Sequence, residues 1–200
     1  VKILVATSNS GKIKEIREIL FSPQISICTP DQTGRDIDVI EDGETFRDNA
    51  VKKALAWFRE TGIITLADDS GLCVDALGGE PGVRSARYAG PDATDRQNYS
   101  LLLERMKGKV NRKACFVCVA ALVIAEDHIL TAQGEYSGTI LEAPVGENGF
   151  GYDPVFYDPD AKKSFAQIDS EEKNAKSHRK RALEALKQKM QGLKGVHNPL

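Results

Sequence analysis

Two long strand-like stretches in the middle of the chain restrict the fold most. Residues 113–126 and 129–137 each read as a strand, and they are joined through Glu126-Asp127-His128. So short a connection predicts an antiparallel hairpin, since a parallel pair needs a long crossover. The first half supplies further strands at 2–6 and 63–67, with a strand and loop over 24–40. Helices are interleaved with them. One is expected over about 11–21, where Ile13, Ile16 and Leu20 recur at helical spacing and Pro23 follows. A second, about 45–60, turns Phe46, Ala50, Ala54, Leu55, Trp57 and Phe58 inward and carries a polar stripe of Thr45, Asn49 and Lys53 at i, i+4 spacing. A third is expected at 92–107 and a last at 178–191, with Ser177 as its N-cap. A short strand is expected at 139–141, and a turn-rich segment at 149–154 leads into Val155-Phe156-Tyr157. This alternation predicts an α/β or α+β fold with a central mixed sheet flanked by helices.

With 200 residues, 41% of them hydrophobic, the chain can build one substantial domain over 1–200, and its end, 195–200, is expected to be disordered. A net charge of -2 argues against a nucleic-acid coat or a polybasic membrane surface. No apolar run approaches a membrane span and no secretory leader is visible, so the expected location is cytoplasmic. Cys28 and Cys73 stand alone in the sequence, whereas Cys115 and Cys118 form a C-x-x-C inside a strand. Their three-residue offset puts them on opposite faces, and no second ligand pair accompanies them, so core thiols are expected rather than zinc or redox chemistry.

Two stretches carry chemistry. In Thr7-Ser8-Asn9-Ser10-Gly11-Lys12 an apolar strand hands over to a helix N-terminus, where unpaired amides and the helix dipole favour an anion and Lys12 adds a full charge. It is not a Walker A loop, because Ile13 stands where that motif places Ser or Thr. Taken alone, it is better explained as a capped helix start with a solvated lysine. The second stretch is Ala67-Asp68-Asp69-Ser70-Gly71-Leu72, expected at the end of the 63–67 strand. Asp68 and Asp69 could cap a turn or pair with Lys53. The acidic turn Glu41-Asp42-Gly43-Glu44 favours another reading, in which a divalent cation joins carboxylates near phosphate. Magnesium suits this, with one or two carboxylates plus phosphate oxygens.

Taken in order, Thr7-x-Asn9-x-x-Lys12, Ala67-Asp68-Asp69-Ser70-Gly71-Leu72, Pro81-Gly82-Val83-x-Ser85-Ala86-Arg87-Tyr88, Phe150-Gly151-Tyr152-Asp153 and Ser177-His178-Arg179 resemble the inosine/xanthosine triphosphate pyrophosphatase family, nearly end to end. The resemblance implies an elongated mixed sheet with helices on both sides, two lobes around an active-site cleft, and a homodimer. It implies hydrolysis of nonstandard purine nucleoside triphosphates to the monophosphate and pyrophosphate with Mg²⁺, Mn²⁺ being an alternative. Thr7, Ser8, Asn9, Ser10, Gly11 and Lys12 would hold the triphosphate. Asp69 would be the base or a metal-linked carboxylate with Asp68 beside it, Glu41 rather than Glu44 would share the metal, Ser70 would touch substrate, and Lys53 would reach the phosphates or the acidic cluster. Phe150, Gly151, Tyr152 and Asp153, with Lys173, His178 and Arg179, would hold base and sugar.

In the expected mechanism water attacks the α-phosphorus, and crowding of Asp69 by Asp68 and Glu41 raises the cluster's proton affinity. Donors facing O6 of hypoxanthine or xanthine would meet the amino group of adenine and reject it. Two rival readings are a pyrophosphatase for another modified nucleotide and a nucleotide-binding sensor without turnover.

Overall fold

The computed structural model describes residues 1–20 and 22–193, so the reading of 195–200 lies outside the described residues. The chain forms two compact units. The first comprises residues 1–69, 118–134 and those from 179 onward, and the second 70–117 and 135–178. Among the described residues the strands and α-helices follow in order: β1 (Lys2–Val5), α1 (Ser10–Ile19), β2 (Ser26–Cys28), α2 (Phe46–Thr61), β3 (Thr65–Val74), α3 (Asp95–Arg105), β4 (Lys113–Ala125), β5 (His128–Ile140), β6 (Phe156–Asp158), β7 (Lys163–Ser164), α4 (Ser170–Lys176) and α5 (His178–Leu193). The strands form one sheet in the order β2-β1-β3-β4-β5-β6-β7. β1 runs parallel to β2 and β3, whereas β6 runs antiparallel to both β5 and β7. The sheet is therefore mixed, as expected. Among the described residues no helix is long and apolar enough to cross a membrane.

In the first unit both faces of the sheet are covered, and strand alternation decides what goes where. Ile3, Val5 and Leu66 pack with Ile16 of α1, with Leu20 at its C-cap, and with Leu183 and Leu186 of α5. Leu4, Ala6 and Ala67 pack on the other face with Ala50, Ala54 and Trp57 of α2. The alanines on α2 let the helix lie close to the strands. The second unit is centred on aromatic side chains: Phe116 and Phe156 have ring centroids 4.5 Å apart, and Phe156 and Phe165 4.8 Å.

Several boundaries differ from the sequence reading. The 63–67 strand is the start of β3, which runs on to Val74, so the aspartates sit mid-strand rather than at its end. Asp68-Asp69-Ser70-Gly71 has turn composition, and that composition masks a strand whose polar side chains find buried partners. The 139–141 strand is mostly the end of β5. α4 was not anticipated; Asp169 caps it by accepting from Glu172 N at 2.7 Å. Ser177 lies extended just ahead of α5, with its N–H donating to Lys173 O.

Candidate active site

The first unit carries the phosphate-type motif and the carboxylates. β1 ends at Val5, and α1 begins at Ser10 with Asn9 as N-cap, whose Oδ1 accepts from Lys12 N at 3.0 Å. Thr7 Oγ1 accepts from Asn9 N at 3.2 Å, which closes the turn on itself. Ser8, Asn9 and Ser10 are exposed, and Ser10 and Gly11 open the helix at positions whose amides have no intrahelical acceptor. Thr7 and Ser8 line a cavity of about 430 Å³ together with Arg35, Glu41, Lys53 and Trp57.

Because side chains alternate along β3, the adjacent aspartates go to opposite faces. Asp68, like Leu66, faces α1 and α5. It is buried, with Oδ2 3.1 Å from Lys12 Nζ and 3.3 Å from Arg179 Nη2. Arg179 also pairs with Glu15 of α1 and is itself buried. Burial alone would push the Asp68 carboxyl up, but Lys12, Arg179 and Lys53 hold it far below the usual carboxylate range. Asp68 is thus a permanent anion that anchors cations. Cys118 Sγ lies 3.8 Å from Asp68 Oδ2; burial and this carboxylate push the thiol up, so it is a core thiol, as expected. None of the four cysteines is in a disulfide.

Asp69, like Ala67, faces α2. Its Oδ2 accepts from Asn49 Nδ2 at 3.0 Å. Burial raises its pKa above the ordinary value and nearby Glu41 adds to the effect, against the Asn49 hydrogen bond and Lys12. The expected crowding by Asp68 is thereby corrected: alternation separates the two carboxylates, and burial with Glu41 raises Asp69. Lys53 Nζ lies 2.8 Å from Glu41 Oε1. Burial of Lys53 disfavours its charge, but Asp68 and Glu41 outweigh this and keep it protonated. Among the described residues no group of three or more His, Cys, Asp or Glu is arranged to hold a metal. Glu41 and Asp69 are a two-carboxylate set. That fits a Mg²⁺ whose remaining ligands are phosphate oxygens and water, and not an all-protein cage.

The second unit carries the other predicted residues. Ser70, half-buried, opens it. Asp153 Oδ2 accepts from Phe150 N at 2.9 Å and lies 2.5 Å from Lys173 Nζ, which sits 4.6 Å from the centroid of the Phe150 ring. Gly149 is required here, because it has φ +77° and an added Cβ would fall 2.1 Å from Asp153 Oδ2. Gly151 N donates to Asp95 Oδ2 at 2.7 Å. Tyr152 is a buried core ring whose hydroxyl donates to Ser85 O at 2.8 Å, so Phe150 is the half-buried ring of the pair. His178 is buried too, stacked on Phe116 at 4.8 Å and 11°. Arg179, grouped with these residues by the resemblance, belongs to the first unit and pairs there with Asp68 and Glu15.

Asn49, Glu15, Asp95 and Ser85 were missed as site or supporting residues. The polar stripe on α2 was the available signal for Asn49, since it continues on a face that must otherwise be apolar. Nothing in the sequence marks Glu15, because its partner Arg179 is 164 residues away.

The Ham1 family model matches residues 3–189. A dITP/XTP pyrophosphatase from Clostridium perfringens is 47% identical over 96% of this chain and 98% of its own length. One from Thermus thermophilus is 49% identical over 93% of this chain and 90% of its own. The solved Ham1 protein of Staphylococcus aureus superposes with a TM-score of 0.87 at 39% identity, covering 96% of this chain and 99% of that one. With its mixed α/β sheet and phosphate-type β1–α1 turn, the chain belongs to the Ham1 family.

Proposed function

We propose that this chain is a nucleoside triphosphate pyrophosphatase that hydrolyses nonstandard purine nucleotides (ITP, dITP and XTP) to the monophosphate and pyrophosphate. The observation that carries this reading is full-length identity near one half with relatives named dITP/XTP pyrophosphatases. The division of labour along β3 supports it. Asp68 is neutralised by cations, while Asp69 keeps a raised proton affinity beside Glu41. A sensor without turnover has no use for such a carboxylate next to a polyanion.

In this reading the Thr7–Lys12 turn, with Lys12 and Lys53, holds the phosphates and stabilises charge on the departing pyrophosphate. Asp69 takes the proton as water oxygen bonds to the α-phosphorus and the bond from that phosphorus to the bridging oxygen breaks. Glu41 and Asp69 would hold Mg²⁺, with Mn²⁺ as a substitute. When bound, the ion neutralises phosphate charge and makes water more acidic. Phe150 offers a ring face for stacking on the base, and Gly151, Asp153, Lys173, His178 and Arg179 are assigned to base and sugar. A homodimer and a cytoplasmic location belong to the same reading.

The test is pyrophosphate release from dITP, XTP, dATP, dGTP and dUTP, with and without Mg²⁺. Strong Mg²⁺-dependent release from dITP and XTP alone is the expected result. Preference for dUTP would assign another modified-nucleotide substrate, and tight binding without release would make the chain a sensor.

A further inference from the structure

Three successive residues of the acidic turn are each tied to α2. Glu41 pairs with Lys53 at 2.8 Å, Asp42 with Lys52 at 2.5 Å, and Gly43 N donates to Asn49 Oδ1 at 2.7 Å. Of these anchors, Asn49 also reaches the strand, donating from Nδ2 to Asp69 Oδ2 at 3.0 Å. Its side chain is buried, with 1% relative exposure. The amide is fixed in orientation. The Gly43 N–H demands an acceptor and the Asp69 carboxylate demands a donor, and a flipped amide would satisfy neither. The turn is pressed hard against this side chain: a Cβ on Gly43 would lie 2.7 Å from Asn49 Oδ1 and 2.9 Å from Asp48 Cβ. Glycine is needed there for close approach.

We propose that Asn49 is a positioning residue, a two-sided clamp that fixes the Asp69 carboxylate and the Glu41-bearing turn in one arrangement. The proposal rests on the reading of Asp69 as base and Glu41 as its neighbour. With Oδ2 of Asp69 held from α2, its other oxygen keeps one direction. With Gly43 held by the same amide, Glu41 cannot drift from Asp69. Asn49 lies one helical turn before Lys53, so one face of α2 sets both carboxylates and the adjacent cation.

Asn49→Ala removes both arms, and Gly43→Ala displaces the turn while leaving the amide in place. Kinetics with dITP are expected to show kcat reduced about 10–100-fold in each, with KM within about threefold of wild type. The double variant should be no worse than Asn49→Ala, because both changes break one unit. A second readout does not depend on turnover: Mn²⁺ titration followed by electron paramagnetic resonance should show metal affinity weakened about tenfold in both variants. Thermal unfolding verifies that each is folded. If Asn49→Ala fails to fold, Gly43→Ala decides by the same two readouts. Unchanged kcat and unchanged Mn²⁺ affinity in a folded variant would overturn the proposal. If the wild type releases no pyrophosphate from any nucleotide, the functional reading fails and the Mn²⁺ titration alone decides the clamp.

Discussion

Two neighbouring aspartates have opposite chemistry because a strand alternates. Asp68 is fully enclosed among Lys12, Arg179 and Lys53 and stays ionised, whereas Asp69 sits beside Glu41 and an amide and binds its proton more tightly than a free aspartate. Arg179→Met tests the first half. It keeps side-chain volume but leaves Asp68 and Glu15 without their shared guanidinium, so chemical denaturation at pH 7 should show a loss of about 3–5 kcal/mol. The sign of the pH dependence follows from the depressed Asp68 pKa. Its contribution is fully present above the unfolded value of about 3.9 and is lost as pH falls toward the folded one. The gap between wild type and variant should therefore narrow below about pH 4. A gap that widened there would contradict the assignment. In the sequence only the family resemblance sets Asp69 apart from Asp68, and the electrostatic difference was illegible because Arg179 comes to Asp68 from a distant segment.

At the scale of elements, periodicity exposed most helices and the central hairpin, because amphipathic α2 and apolar β4 advertise what they bury. It failed where tertiary partners override local composition. β3 continues through Asp68-Asp69-Ser70-Gly71 because Lys12, Asn49 and Ser85 receive its polar groups; Ser85 Oγ, for instance, accepts from Leu72 N at 2.9 Å. α4 is only seven residues long, too short for a helical period to show. Gly138, inside β5, marks a close approach of the kind a strand glycine often signals. A Cβ there would lie 2.5 Å from both the Phe156 ring and Tyr157 O on neighbouring β6. Gly138→Ala should therefore destabilise the second unit by about 1–3 kcal/mol, read as a lowered denaturation midpoint. An unchanged midpoint would show that β6 shifts without cost.

Over the whole molecule, two of the ordered motifs, Thr7–Lys12 and Phe150–Asp153, were legible because they lie in turns and at strand ends, where chemistry leaves local signatures. Ala67–Leu72 was legible from its paired carboxylates although it lies inside β3. The supporting residues were not, since their task is to meet something distant in sequence: Asn49 meets Gly43 and Asp69, and Asp95 meets Gly151. What links the first unit's geometry to a pyrophosphatase reaction is the assignment of proton transfer to Asp69 alone of the pair. The direct measurement is pyrophosphate release from dITP by Asp69→Asn, beside calorimetric binding of the same nucleotide. Release lower by about 10²–10⁴-fold, with binding kept, is the predicted result. Release at the wild-type rate would contradict it.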